Sequence, residues 1–108
     1  MKENGSHGLR AKTTAWFTAV ARAEPFWWYK VVGSPYARPG VPDFVCCYRG
    51  VFGALELKRP GEKESGLRPR QEFEVGAIQR AHGIVGVAET MDEVRAFLDR
   101  LRAHAEGI

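Results

Sequence analysis

Two β-prone runs, residues 44–48 and 51–57, are separated only by Arg49 and Gly50, and this pairing constrains the fold more than any other feature of the chain. Such spacing predicts a β-hairpin with a two-residue turn, in which the numbers of opposed residues sum to 99. Arg49 is unfavourable in a type I′ turn, so a three-residue loop with a bulge, which would shift the register, is the alternative.

Both faces of this hairpin are apolar. One face carries Val45, Cys47, Phe52 and Ala54, and the other carries Phe44, Cys46, Tyr48, Val51, Leu55 and Leu57. A hairpin that is apolar on both sides has to be covered on both sides. The pattern therefore predicts an α/β domain with a three-layer α/β/α core.

Charged residues interrupt the apolar pattern at one end of the hairpin. The predicted register places Asp43 opposite Glu56, with Cβ atoms about 4.5–5.5 Å apart, and Lys58 on the same face. Two carboxylates on an apolar sheet face are costly unless a positive group compensates them. A divalent metal ion is one such group; the alternative is a Glu56–Lys58 ion pair beside an Asp43 that caps a turn.

The remaining segments predict the element order α-β-β-β-α-β-α. An amphipathic stretch favours a first helix, Pro25 ends it, and a strand begins at Phe26. Its aromatic residues are expected in the core, with a dimer surface as the alternative. The other predicted elements are a loop at 33–40, an exposed loop at 60–66, a helix at 69–82, a strand at 84–88 and a final helix to about residue 105. Thr90 and Glu93 match a capping box for that final helix.

Length and charge agree with one basic domain. A chain of 108 residues suits a single domain spanning 1–108. The 16 Lys and Arg residues exceed the 13 Asp and Glu residues, which permits binding to a polyanion. No apolar run is long enough for a membrane span and no signal peptide is evident, so a cytoplasmic protein with no membrane partner is expected. Adjacent Cys46 and Cys47 are expected to be reduced and to face opposite sides of a strand.

Taken together, segments 40–43, 55–61, 69–71 and 83–87 resemble the VRR-NUC domains of the PD-(D/E)xK nuclease superfamily. The order of Pro-Asp, Glu-Leu-Lys, Arg-Pro-Gly and Pro-Arg-Gln carries the resemblance, which runs from about residue 29 to about residue 98. The stand-alone phage and bacterial members are the most similar type. The resemblance implies a restriction-endonuclease-like fold with a mixed central sheet, similar to that of Holliday junction resolvases.

The resemblance also implies a site. Asp43, Glu56 and the backbone carbonyl of Leu57 would bind Mg²⁺, with Mn²⁺ as a substitute, since hard oxygen ligands suit both ions. Lys58 would orient the attacking water and stabilise charge, and Gln71 would contact the lysine, the water or the phosphate. The implied DNA contacts are Lys30, Arg38, Arg59, Arg68 and Arg70, and a looser pool of possible phosphate contacts adds Arg10, Lys12 and Lys63. For Gln71 the alternative is an exposed polar residue of a helix, and for Lys30 and Arg59 it is solvated surface.

Two positions depart from the family pattern. Members commonly carry a glutamate in the first helix, whereas residues 8–12 here contain no acid, and Glu3, His7 and Glu24 are out of register. The residue before Pro69 is usually Thr or Ser, whereas here it is Arg68, which removes a helix cap worth about 1 kcal/mol.

The sequence thus predicts a Mg²⁺-dependent DNA endonuclease acting on branched DNA such as four-way junctions or flaps, as a phage or bacterial intracellular protein. A two-fold homodimer would match the symmetry of a junction. One alternative is a nuclease-fold module that binds nucleic acid without cutting it. Another is an ordinary hairpin in a small oligomerising protein.

Overall fold

The computed structural model describes residues 6–107, with side chains from Gly8 onward. The regular elements follow the predicted order, and their bounds are α1 (Ser6–Ala23), β1 (Phe26–Lys30), β2 (Phe44–Tyr48), β3 (Val51–Leu57), α2 (Pro69–Arg80), β4 (Ile84–Ala88) and α3 (Met91–Glu106). Within these residues no helix has the length and apolar character needed to cross a membrane.

The four strands form one mixed sheet in the order β1-β2-β3-β4. β2 is antiparallel to both β1 and β3, whereas β4 is parallel to β3. Phe44 opposes Leu55 and Tyr48 opposes Val51, so the predicted hairpin register is confirmed. Arg49 and Gly50 both adopt positive φ, 49° and 90°, which is the backbone of a type I′ turn. The bulged-loop alternative is therefore wrong.

One face of the sheet is covered by α1 and α3. The ring of Phe17 on α1 contacts Phe26 and Phe44 edge to face, with centroids 5.1 and 5.5 Å apart. On the α3 side, Phe97 lies directly over Gly86, where an added Cβ would approach the Phe97 Cδ1 atom to 2.7 Å. A larger residue at position 86 would therefore separate α3 from the sheet. The side chains on this face form the apolar core.

The opposite face is covered over only part of its width. Helix α2 packs against β4 and, through Gln71, reaches Glu56 on β3. Helices thus lie on both faces of the sheet, as the apolar pattern predicts. In the described part of the chain, no helix has more than marginal contact with β1 or β2 on this side.

The exposure of the β1 aromatics corrects one expectation. Phe26 is buried and Trp28 is half-buried, but Trp27 and Tyr29 are 58% and 56% exposed. The core interpretation therefore holds for the alternate residues that face α1 and is wrong for the other two. Sequence alternation gives the two faces of a strand, but it does not say which half of a sheet a helix covers.

Several local boundaries also differ from the predicted ones. Helix α2 ends at Arg80, because His82 adopts a left-handed φ of 70° that an α-helix cannot contain. A short 3₁₀ turn, Glu62–Ser65, lies inside the predicted loop. Thr90 accepts a hydrogen bond from the Glu93 amide as predicted, and the Glu93 carboxylate accepts hydrogen bonds from the backbone N–H groups of Glu89 and Thr90.

The two cysteines behave as expected. Both are free, and they face opposite sides of β2. Cys46 lies in the core, where burial raises the pKa of its thiol to about 12. Such a thiol carries almost no thiolate at neutral pH, so a structural role fits it better than a reactive one.

Candidate active site

Asp43 and Glu56 meet where the hairpin opens. Asp43 immediately precedes β2, at the position opposite Glu56, as the register predicts. Its Oδ2 atom accepts a hydrogen bond of 2.7 Å from the backbone N–H of Leu57. In return, the Glu56 carboxylate accepts one from the backbone N–H of Asp43. These reciprocal bonds bring the two carboxylates together on one face of the sheet.

The surroundings of Glu56 disfavour its charge. Its side chain is only 9% exposed. Burial, followed by the neighbouring charge of Asp43, raises the pKa of Glu56 to about 7, although Lys58 and Arg10 act in the opposite direction. The cations of the described site therefore compensate the acidic pair only in part.

Gln71 links this acid to the lysine. Its Nε2 atom donates to Glu56 Oε2 at 2.8 Å, and its Oε1 atom accepts from Lys58 Nζ at 3.1 Å. Oε1 also accepts from the backbone N–H of Arg68 at 3.0 Å, at the start of α2. The residues predicted as catalytic, Asp43, Glu56, Lys58 and Gln71, thus converge on one point beneath the N-terminus of α2.

Arg10 is a site residue that sequence analysis placed only in a loose pool of phosphate contacts. Its Nη1 atom lies 3.3 Å from Asp43 Oδ1. The residue comes from the first turns of α1, in the stretch where the nucleases that the sequence resembles carry an acid, and its guanidinium adds positive charge beside Asp43. Nothing in the local pattern signals this contact, because the two residues are 33 positions apart in the chain.

The predicted DNA contacts are distributed unevenly. Arg38 is engaged with Glu74 on α2 through bonds of 2.7 and 2.8 Å, and Glu74 is 5% exposed. This ion pair attaches the loop before Asp43 to α2, and no local sequence pattern indicates it. Exposed positions are occupied by Lys30 at the end of β1 and by Arg59, Arg68 and Arg70 around the start of α2.

Two clefts flank Arg68. One, of about 270 Å³, is lined by Lys58, the 3₁₀ turn and the backbone that follows it. The other, of about 420 Å³, lies between the loop at Pro39 and the first turn of α2, and Gln71 forms part of its lining. The two clefts therefore reach Lys58 and Gln71, the hydrogen-bonded neighbours of the carboxylates, and Arg68 borders both of them.

The substitutes considered for the missing helix acid do not supply one. Glu24 lies at the far end of the hairpin, where it accepts hydrogen bonds from Arg102 and from the Tyr48 hydroxyl. Glu3 and the side chain of His7 lie outside the described residues. Within the described range, no group of three or more His, Cys, Asp or Glu side chains could hold a metal ion by itself.

Comparison with known proteins gives no match: no family model, no curated protein and no solved structure is significantly similar to this chain.

Proposed function

We propose that this protein is a metal-dependent DNA endonuclease of PD-(D/E)xK type, with a restriction-endonuclease-like fold, that hydrolyses phosphodiester bonds. The observation that carries the proposal is the convergence of Asp43, Glu56, Lys58 and Gln71. Four polar residues from three separate segments meet on a sheet face that is otherwise apolar. Placing charged groups on a largely buried apolar face lowers stability, and such an unfavourable arrangement is typical of a functional site.

The donor set fits a hard divalent cation. Burial and the charge of Asp43 push the neighbouring Glu56 carboxylate towards its neutral form. A bound Mg²⁺ would stabilise the charged form of both carboxylates. The Leu57 N–H points to Asp43, and a strand residue directs its N–H and C=O to the same side, so the Leu57 carbonyl is a reasonable third ligand. When bound, Mg²⁺ would supply Lewis-acid stabilisation of the scissile phosphate.

The protein groups have separable roles in this proposal. The Lys58 ammonium, held by Gln71, orients the attacking water and offsets negative charge as the phosphate is attacked. Gln71 also fixes the orientation of the Glu56 carboxylate. Exposed Arg68 and Arg70 bind the DNA backbone next to the clefts.

A cleavage assay tests the proposal. Flapped, nicked and four-way DNA would be incubated with the wild-type protein in Mg²⁺ and in EDTA. We expect Mg²⁺-dependent products that Glu56→Gln abolishes and that Lys58→Met reduces by about two to three orders of magnitude. Glu106→Gln, an exposed carboxylate at the end of α3, is the control and should cleave normally. Absence of cleavage of all three substrates in Mg²⁺ and in Mn²⁺ would refute the proposal.

The second candidate function is a nucleic-acid-binding module that does not cut. The Arg10–Asp43 ion pair favours it, because an arginine beside one carboxylate opposes cation binding there. This candidate predicts DNA binding that weakens with salt, with no metal-dependent product. It also predicts that millimolar Mg²⁺ leaves the melting temperature unchanged, whereas a metal site would raise it.

A further inference from the structure

An open strip of aromatic and apolar side chains lies beside the candidate active site. Its members, which we call the aromatic strip, are Trp27, Tyr29, Val45, Cys47 and Phe52. The three aromatic members are 58%, 56% and 41% exposed. The rings of Trp27 and Tyr29 are nearly parallel, with an angle of 5° between their planes and 6.4 Å between their centroids. Exposed large apolar groups in such a cluster mark a binding surface more often than a chance arrangement.

The strip continues directly from the carboxylate cluster. Tyr29 opposes Val45, and Val45 follows Asp43 by two residues, so all three point to the same face of the sheet. Strand geometry places the Cα atom of Tyr29 roughly 8 Å from that of Asp43. A polymer with its scissile bond at the site would therefore meet Tyr29 first and Trp27 next.

The charge around the strip suits a polyanion. Residues 25–55, which include every member of the strip, contain three cations and one acidic residue, Asp43 of the candidate site itself. Exposed Arg49 stands in the hairpin turn at the end of the strip away from the site, whereas exposed Lys30, which opposes Phe44, points to the face that α1 covers. Aromatic rings on which bases stack, beside a cation that can contact a phosphate, are the components of a surface that binds single strands.

We propose that the aromatic strip binds unpaired nucleotides of single-stranded DNA next to the scissile phosphate, with bases stacked on Trp27 and Tyr29. The inference rests on the proposed nuclease function and narrows its substrate. It favours a flap or another junction with a single-stranded arm over a fully paired four-way junction, because bases inside a duplex cannot stack on side chains of a flat sheet.

A second copy of the chain is the competing occupant, and the size of the strip argues against it. Three aromatic side chains at these exposures present on the order of 350 Å². A stable dimer buries about 800 Å² on each partner. Single-stranded binding through a sheet needs only enough aromatic surface for two or three bases.

Binding without cleavage tests this proposal separately from the nuclease. Fluorescein-labelled dT12 and a 12-base-pair blunt duplex would be titrated with the wild-type protein in EDTA at fixed low salt, with anisotropy as the readout. We expect dT12 to bind more tightly than the duplex. Trp27→Ala and Tyr29→Ala should each weaken dT12 binding about tenfold and leave duplex binding within twofold. Phe73→Ala removes an exposed aromatic from α2 and should leave both unchanged.

Two further variants distinguish the loss of an aromatic ring from the loss of the fold. Trp27→Phe and Tyr29→Phe keep an aromatic ring and should restore most of the dT12 affinity, and circular dichroism should show the same melting temperature in all variants. Equal loss in the Phe73→Ala control, or no preference of the wild-type protein for dT12, would overturn the proposal. So would a wild-type dimer in sedimentation velocity that Trp27→Ala converts to monomer, because the strip would then be an interface between copies. A protein that fails to cut DNA but binds dT12 through these rings would refute only the nuclease.

Discussion

The two faces of the sheet serve different purposes. The face beneath α1 and α3 is almost entirely apolar, and the aromatic rings of Phe17, Phe26 and Phe44 interlock there. The opposite face carries the charged cluster at one side and exposed aromatic rings at the other. A chain of this size can concentrate its stability on one surface of a sheet and leave the second surface for chemistry.

The largest expected change in the free energy of unfolding comes from a substitution on the sheet face that α1 and α3 cover. Phe17→Ala removes a fully buried ring, so the free energy of unfolding should fall by about 3–5 kcal/mol. Phe52→Ala, on the open face, is the matched control and should cost only about 1–2 kcal/mol, because that side chain is 41% exposed to water already. Urea unfolding measured by tryptophan fluorescence gives both values, and similar losses for the two variants would erase the distinction between the faces.

The next effect is a pH dependence from the charged cluster. Because the pKa of Glu56 is about 7 in the folded protein and about 4.5 when unfolded, the folded state binds more protons between these values. The contribution of Glu56 to metal-free stability is therefore fully present below about pH 4.5 and should fall by about 2–3 kcal/mol as the pH rises from 5 to 8. Urea unfolding in EDTA across this range measures the change.

Glu56→Gln isolates that pH effect. The amide cannot ionise, so most of the decline between pH 5 and 8 should disappear in this variant. A wild-type protein that instead gained stability over the same range would show that the site stabilises the charged form of Glu56 without a metal.

A smaller effect is expected from the ion pair that holds α2. Arg38→Ala leaves the buried carboxylate of Glu74 without its partner and should cost about 1–3 kcal/mol. Arg95→Ala breaks an exposed pair with Asp92 and should change stability by less than about 0.5 kcal/mol. Thermal unfolding of the two variants, side by side, tests whether burial of the partner sets the size of the loss.

The smallest effect concerns Arg10. Its charge next to Asp43 opposes a second cation, so Arg10→Ala should tighten Mg²⁺ binding by about three- to tenfold. Isothermal titration calorimetry measures the change, with Arg22→Ala, which removes an exposed cation from the other end of α1, as the control. Weaker Mg²⁺ binding in Arg10→Ala would mean that the guanidinium helps to organise the ligands.

The sequence was sufficient to predict the hairpin and the position of its two carboxylates. A two-residue turn fixes the register, and the register alone puts Asp43 opposite Glu56. The helices on both faces also followed from the apolar pattern, whereas the mixed sheet was implied by the resemblance. The roles implied by resemblance for these residues stay predictions, because the geometry is compatible with them without testing them.

What the sequence could not supply are contacts between distant segments. Arg10 reaches Asp43 and Arg38 reaches Glu74 only after α1, the loop and α2 have taken their places, and no local periodicity encodes that. The exposure of Trp27 and Tyr29 was missed for a related reason, since it depends on how far α2 extends across the sheet. The apolar character of Trp27 and Tyr29 predicted that both would be buried, whereas the tertiary arrangement leaves both exposed to solvent.

The attachment of α2 has a consequence for motion. Glu74 is the only buried residue of this helix, and Gln71 joins its first turn to Glu56 and Lys58, so polar bonds contribute heavily to its docking. The polar contacts of α2 depend on the charge of any ligand bound at the site. Helices α1 and α3 are held by apolar packing, which does not depend on that charge. Hydrogen exchange in α2 should therefore be faster than in the other two helices, and it should slow when a ligand neutralises the carboxylates.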